Sequence, residues 1–411
     1  MIKPIAIYLP QFHPIPENDK AWGEGFTEWT NVRKAKPLFD GHYQPHVPHE
    51  DVGYYDLRDP EVMVRQAAMA KAYGIYGFAF YHYWFNGKRL LETPLDNMLK
   101  TGTPDFPFLY IWANEHWSRR WDGSDQEIIQ DQHYSHEDDL NHIGFLCKNV
   151  FSDKRYITIE DKPVIMVYRT ELLPNIKETA RIWREEAMKF GFKDLYLVRV
   201  ENGVSGIEPK SIGFDAALEF GPDWNCVNEA NVAKKQNEVH YYNINYVDTV
   251  SNIIEKEIQY KTFRCVFPSW DNSSRKNKNI GLFTNNTASV FNYFLKQSIK
   301  YTKDKLGSEE QFVFINAWNE WAEGCHIEPD LKTGYKYLAA IKEALINDSD
   351  KVPVEYFEHI IKKVNNYKLK VKEYEDKNTE YISAYNSKDY KIGRKILKPL
   401  RKLKKIIKRI K

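Results

Sequence analysis

A chain of 411 residues with 42% hydrophobic and 15% aromatic residues and a formal net charge of +2 has the composition of a globular protein, with room for one large barrel or for two to three smaller domains. No apolar run approaches the roughly 20 residues that cross a bilayer, which excludes an integral helical membrane protein. The charge is unevenly placed: residues 388–411 hold 12 Lys/Arg and one Asp, or +11, and 2 − 11 leaves −9 on the remainder.

At the start, Met1-Ile-Lys-Pro leads directly into an apolar, strand-like segment. It lacks the longer apolar stretch and small-residue cleavage site of a secretory signal, so a cytoplasmic location is expected. Aromatic and β-branched runs then recur at residues 5–9, 77–81, 108–112, 164–168, 195–200, 216–220, 263–267 and 312–315 and read as buried strands. Segments of helical period lie between them. One has Asp59 as N-cap and Pro60 in its first turn, carries Met63, Ala67 and Ala70 on one face, and ends near Gly74. Another repeats Ile176, Ala180, Trp183, Ala187 and Phe190 and stops at Gly191, and a third, with Tyr337, Ile341, Ala344 and Leu345, follows the last strand. Between Leu195 and Phe267 helices are poorly marked.

About eight alternations of strand and helix imply parallel strands covered by helices. The expected architecture is an α/β fold, a closed (β/α)8 TIM barrel over residues 1–347, followed at 348–411 by a charged helical tail ending in a basic amphipathic helix. A doubly wound open sheet is disfavoured because no Gly-x-Gly-x-x-Gly follows the first strand and because polar and aromatic residues crowd the strand ends. The first strand runs into Tyr8, Gln11 and His13, the second into Tyr81, His82, Tyr83 and Trp84, the third into Asn114, Glu115 and Trp117, and the eighth into Trp318, Asn319, Glu320, Trp321 and Glu323. In a barrel the C-terminal strand ends open on one face, so residues far apart in sequence would converge there.

The tryptophans point to a ligand class. Only Trp183 of the eleven falls in a clearly helical segment; Trp22, Trp29, Trp84, Trp112, Trp117, Trp121, Trp224, Trp270, Trp318 and Trp321 are expected in loops or at strand ends. An indole face suits the C–H face of a pyranose and its N–H can donate to a hydroxyl. With Asn, Gln, His and Asp in the same loops, including Asp122, this is the chemistry of a sugar cleft. Any one of these aromatics has roughly even odds of being a packing residue, so the pattern carries more weight than its members. The long insertion of residues 22–48 is too aromatic to read as disordered.

Glycosidic chemistry uses one carboxyl to protonate the leaving oxygen and another to create or stabilise the nucleophile. Glu320 and Glu323 fit by position. Glu-x-x-Glu alone is a weak signal, common on solvated helices; flanking Trp318, Trp321 and Gly324 directly after a buried strand are not the composition of a solvated face. Glu115, Glu201, Glu219, Asp122 and Asp223 rank second, as substrate ligands. Cys147, Cys226, Cys265 and Cys325 form no C-x-x-C pair, so neither a zinc ribbon nor a disulfide framework is indicated, and no metal or cofactor is expected. Cys325, although near the carboxylates, lacks a His/Asn arrangement and is given no role.

Taken together, Tyr8-Leu-Pro-Gln-Phe-His-Pro-Ile-Pro-Glu17, Gly25-Phe-Thr-Glu-Trp-Thr-Asn31, Tyr81-His-Tyr-Trp-Phe-Asn-Gly-Lys88, Trp112-Ala-Asn-Glu-His-Trp117 and Trp121-Asp-Gly123 resemble the WbsX-type proteins of bacterial surface-polysaccharide gene clusters, over residues 2–347. Those proteins are similar to glycoside hydrolase family 99, the endo-α-mannosidases. The resemblance implies a (β/α)8 barrel and retention of configuration without a metal. Its closest local match is Asn319-Glu-Trp-Ala-Glu-Gly324 with Ile327-Glu-Pro329 behind it. By that match Glu320 is implied as the base that takes a proton from the sugar 2-hydroxyl, which attacks the anomeric carbon. Glu323 is implied as the acid for the leaving oxygen and later the activator of the incoming water or sugar hydroxyl. Outside this motif the match to the endo-mannosidases is thin, so no substrate identity follows from it.

Two other functions remain open at this stage. WbsX-type proteins are often labelled glycosyltransferases, but the only Asp-x-Asp, Asp348-Ser-Asp350, lies beyond the last barrel helix. A non-catalytic glycan-binding protein is the alternative outside enzymes. In the tail, Ile392, Ile396, Leu400, Leu403, Ile407 and Ile410 repeat at helical spacing among lysines and arginines, with Pro399 expected to bend the helix. This suits an anionic membrane surface, peripheral on the inner face of the cell membrane and beside lipid-linked oligo- or polysaccharide. An acidic barrel argues against nucleic acid.

Overall fold

The computed structural model describes residues 1–119, 124–227, 234–236, 239–276, 279–347 and 352–386. The chain divides into two compact units, Met1–Pro353 and Val354–Lys411. The first is built on parallel strands β1 (Lys3–Tyr8), β2 (Gly77–Phe85), β3 (Phe108–Trp112), β4 (Lys162–Val167), β5 (Tyr196–Glu201), β6 (Ala216–Glu219), β7 (Thr262–Phe263 and Cys265–Val266) and β8 (Phe312–Ile315). Each pairs with the next in parallel, and β1 pairs with β8. The two halves of β7 close the ring. Its first half pairs with β6 through Ala217↔Thr262 and Leu218↔Phe263, and its second with β8 through Cys265↔Phe314 and Val266↔Ile315. The nine parallel segments along the barrel path therefore occupy eight positions of a closed barrel.

The helices are α1 (Pro16–Trp22), α2 (Glu28–Lys34), α3 (Pro60–Ala72), α4 (Thr93–Thr101), α5 (His136–Asn149), α6 (Ile176–Lys189), α7 (Tyr246–Glu255), α8 (Ala288–Lys305) and α9 (Lys336–Ile346). The Asp59 side chain caps α3 by accepting from Glu61 N, and that helix stops before Gly74, whose φ is +86°. After β5 only a 3-10 turn, Pro209–Ile212, takes the place of a helix. This, with the extra strand Val239–Asn245 ahead of α7 that pairs in parallel with Ile280–Thr284, is why helical periodicity is faint between Leu195 and Phe267.

The second unit contributes α10 (Val354–Asn386), 33 residues long. The basic amphipathic stretch of residues 388–411, Asp348-Ser-Asp350, Trp121 and Asp122 lie outside the described residues. Among the described residues no helix is long and apolar enough to cross a membrane, and all four cysteines are free thiols.

Candidate active site

Strand alternation decides which side chains reach the barrel mouth. In β2, Tyr81 and Tyr83 face a cavity of about 440 Å³. His82 and Trp84, on the opposite face of the same strand, meet α5 instead: His82 Nε2 lies 3.1 Å from His142 Nε2, and Trp84 Nε1 donates to Asp138 at 2.8 Å. Every barrel strand contributes to the cavity at or just beyond its C-terminal end: Gln11 after β1, Tyr81 and Tyr83 from β2, Glu115 and Trp117 after β3, Tyr168 after β4, Asn202 after β5, Phe220 after β6, Trp270 after β7 and the glutamates after β8. Trp224 also lines it and is the only exposed tryptophan among the described residues.

Glu320 and Glu323 sit on a tight hairpin. Asn319–Glu320 pairs antiparallel with Cys325–His326, and a 3-10 turn, Trp321–Glu323, joins them. Gly324 closes the turn at φ +55°, and a Cβ there would meet Asp271 Cβ at 3.0 Å and its backbone N and O at 3.2 Å. Both the conformation and the space call for glycine. Glu323 O accepts from Asp271 N at 2.6 Å. Asn319 ties the hairpin to the end of β1, accepting from Leu9 N at 2.8 Å and donating to Leu9 O at 3.0 Å. Buried Glu328 anchors it from behind, accepting from Trp318 Nε1 (2.9 Å), Trp321 Nε1 (2.7 Å), Gln66 Nε2 (2.7 Å) and the Tyr55 hydroxyl (3.0 Å).

One cation joins the carboxylates. Arg275 donates from Nη1 to Glu323 at 2.6 Å and from Nη2 to Glu320 at 3.1 Å and to Glu28 at 2.9 Å. Glu28, at the start of α2, is fully buried. Burial raises Glu320 well above the ordinary carboxylate range, with Glu323 adding to the rise and Arg275 opposing it. Burial also raises Glu323, against Arg275 and Lys276, and Glu28, against Arg275. Burial alone would lower Arg275, but Glu28, Glu323 and Glu320 outweigh it and keep the guanidinium charged. Glu28, Glu320 and the partly buried Glu323 are thus each shifted toward the protonated form against the pull of Arg275. Burial raises Tyr81, Tyr83 and Tyr168 too, so all three stay phenolic and able to donate.

Several residues expected at a sugar cleft are placed elsewhere, each for a visible reason. The Tyr8 hydroxyl donates to Gln66 on α3 at 2.5 Å, and His13 is buried beside Asp56 and Arg58. Trp29 points its N–H to Tyr55 O at 2.8 Å, inside the long loop after β1. Asn114 bridges to the Arg169 backbone, donating to its O at 2.9 Å and accepting from its N at 2.8 Å. Trp318 and Trp321 are spent on Glu328, and Asn319 on Leu9. These, with His82 and Trp84, build the walls behind the cavity. Of the second-rank acids, Glu115 lines the cavity and pairs with Arg169 at 2.6 Å. Glu201 pairs with Arg199 at 2.9 Å, Glu219 with Arg264 at 3.1 Å, and Asp223 with Lys256 at 2.9 Å, all off the cavity wall. Sequence reasoning missed Glu28 and Arg275. Glu28 lay in the quoted Gly25–Asn31 motif beside the more conspicuous Trp29; Arg275 stands in a Ser/Asn/Lys-rich stretch that carries no motif.

A family model described as Glycosyltransferase WbsX matches residues 4–341. The chain belongs to the WbsX glycosyltransferase family. Among its curated relatives are the WxcX proteins of two strains of Xanthomonas campestris pv. campestris, each 38% identical over 349 residues, covering 84% of this chain and 50% of the relative. The chain therefore spans about half the length of the curated relatives it matches. Solved structures of similar fold include a glycoside hydrolase-like protein (15% identity, TM-score 0.52, covering 84% of this chain and 93% of that one). Another is the family 99 endo-α-mannosidase of Bacteroides thetaiotaomicron in complex with bis-tris-propane (13% identity, TM-score 0.51, covering 84% and 96%). At such identity these establish the WbsX chain's barrel fold alone.

Proposed function

We propose that residues 1–347 form a catalytic barrel that breaks or transfers glycosidic bonds of an oligo- or polysaccharide with retention of configuration. Glu320 and Glu323 are its catalytic carboxylates, and no metal takes part in the bond-breaking step. The observation that carries this reading is a single hairpin presenting both carboxyls, joined by one guanidinium, to a cavity to which all eight strands contribute.

In the free site burial and the closeness of the two carboxyls favour a shared proton on the pair, and the roles implied by the resemblance need it on Glu323 when the leaving oxygen departs. Substrate places it there. A sugar 2-hydroxyl donating to Glu320 stabilises that carboxylate and moves the proton to Glu323. Glu320 then takes the hydroxyl proton as the 2-oxygen attacks the anomeric carbon, and Glu323 protonates the departing oxygen. In the second half Glu323 deprotonates the incoming water or sugar hydroxyl, which attacks the anomeric carbon and opens the intermediate as Glu320 returns its proton to the departing 2-oxygen. Tyr81, Tyr83, Gln11, Glu115, Trp117, Trp224 and Trp270 surround the sugar. The substrate is a surface glycan, lipid-linked where the basic stretch of residues 388–411 rests on anionic membrane; equal sedimentation with anionic vesicles of the full chain and one ending at Asn386 would exclude that placement.

The family's description as a glycosyltransferase favours a second reading, transfer from a nucleotide sugar. Product analysis by mass spectrometry separates the readings, using wild type, Glu320→Gln and Glu323→Gln with surface glycans, with and without nucleotide sugars. Glycans cleaved or rearranged without nucleotide, and untouched by either variant, support the carboxylate pair. Lengthening only with a nucleotide sugar overturns it, and binding without turnover in wild type would leave a glycan-binding protein.

A further inference from the structure

The hairpin that carries Glu320 and Glu323 also borders a second cavity, of about 320 Å³, whose lining includes His42, His46, Asp271, His326, Asp330 and Lys332. One donor atom from each of His46, His326 and Asp330 lies there within 4.8 Å of the other two. The two imidazole nitrogens are 2.9 Å apart and Asp330 Oδ2 is 4.0 Å from His326 Nε2.

The far sides of His326 and Asp330 are already held. His326 Nδ1 lies 2.9 Å from Glu328 O. A carbonyl oxygen only accepts, so Nδ1 carries the proton and Nε2 turns its lone pair toward His46 and Asp330. Metal-bound imidazoles are oriented in this way. Trp321 stacks on the same ring, centroids 3.7 Å apart and planes at 16°, which fixes its plane. Asp330 Oδ1 accepts from Thr333 N at 2.5 Å and Oγ1 at 2.8 Å, whereas Oδ2 receives no hydrogen bond among the described residues. All three side chains are buried.

We propose that His46 Nδ1, His326 Nε2 and Asp330 Oδ2 bind a divalent transition cation, zinc first, which braces the loop after β1 against the hairpin. Zinc–ligand distances of about 2.0–2.2 Å put neighbouring ligands roughly 3.3 Å apart at a tetrahedral centre, a spacing that the 2.9 and 4.0 Å separations bracket. Two imidazoles and one carboxylate form a borderline donor set that suits zinc better than magnesium or calcium. The three donors border the cavity, which Asp271 and Lys332 also line. On binding, the His46 proton moves from Nδ1 to Nε2, so no net proton is released from the pair.

The test uses the full chain stripped with chelator and titrated with zinc chloride by calorimetry, with cobalt(II) absorption as a second readout. One saturable equivalent per chain is expected, with visible four-coordinate cobalt bands. His46→Gln and Asp330→Asn should each weaken zinc at least tenfold, while melting in chelator shows that they fold as wild type does. The surface group in which His133 Nε2 lies 3.1 Å from Asp131 is controlled with His133→Gln, which should leave the equivalent intact. No saturable zinc in wild type, pale six-coordinate cobalt, or binding lost only in His133→Gln overturns the proposal. Wild-type affinity in both folded site variants does so as well.

Discussion

Exchanging a single atom at Glu328 tests how the catalytic hairpin is anchored. Oε1 accepts from Gln66 and Trp318, and Oε2 from Tyr55 and Trp321. Glu328→Gln replaces one oxygen by NH2. The Tyr55 hydroxyl can rotate and the Gln66 amide can flip, but an indole only donates, and the two indoles bind different oxygens. Whichever way the new amide is placed, one indole N–H faces an NH2 group. Two buried donors are left unsatisfied at about 1–3 kcal/mol each, a loss of roughly 2–6 kcal/mol. Against it stands the roughly 3–4 kcal/mol that wild type loses at pH 8 by ionising a carboxyl that burial raises to about 7 from an unfolded value of about 4.3, so the net Tm difference at pH 8 is the smaller remainder. The assay is thermal unfolding at pH 8, where the carboxylate accepts all four bonds. Adding Trp321→Phe removes one of the two competing donors, so the double variant should lose less than the sum of the single ones. Strict additivity would refute the argument.

The acid and base roles separate by leaving group: each Gln variant should lose about 10²–10⁴ in turnover on an ordinary glycoside, and an activated aryl leaving group should restore the first step in Glu323→Gln but not in Glu320→Gln. Arg275→Met leaves Glu28, Glu320 and Glu323 buried without their cation, so roughly 3–5 kcal/mol of stability should go and any remaining pH–rate profile should move to alkaline pH, because the pair holds its protons longer. Glu320 has a carboxyl pKa raised on folding; the stability it gives is complete below the unfolded value of about 4.3 and is lost as pH rises through the folded value. Glu320→Gln should therefore gain Tm relative to wild type between pH 4 and pH 8, and an unchanging difference would argue against the buried, raised carboxyl. Trp224→Ala should raise KM several-fold with less change in kcat, as expected of a contact made equally to substrate and transition state; an unchanged KM would place the sugar elsewhere.

The barrel is legible in the sequence because buried parallel strands must be apolar on both faces. The segments at residues 77–81 and 108–112 are such runs, and the structure places strands there with every residue buried. Helices are legible where a cap and a face coincide, as at Asp59 and Ala67. Around α7 the cap is Asn245, which accepts from Val247 N and Asp248 N; because it terminates a strand, no turn composition marks the boundary. The structure also shows why the fifth strand–helix unit left no period to find: a four-residue 3-10 turn has none.

The site is less legible because a contiguous motif is not a contiguous surface. Tyr81-His82-Tyr83-Trp84 reads as one patch of sugar-binding residues, yet the two-residue strand period sends its members alternately to the cavity and to α5. The same geometry turns Glu219 away beside Phe220, which faces in. Tryptophans at strand ends are ambiguous in sequence because the indole that could stack on a sugar is also suited to fill a wall and satisfy a buried acid, and Trp318 and Trp321 do so at Glu328. Arg275 and Glu28 are 247 positions apart, and neither stands in a spacing that chemistry requires. What unites them is three carboxyls crowded within hydrogen-bond reach of one cation, a requirement that appears only once the loops after β1, β7 and β8 are brought to the same barrel mouth.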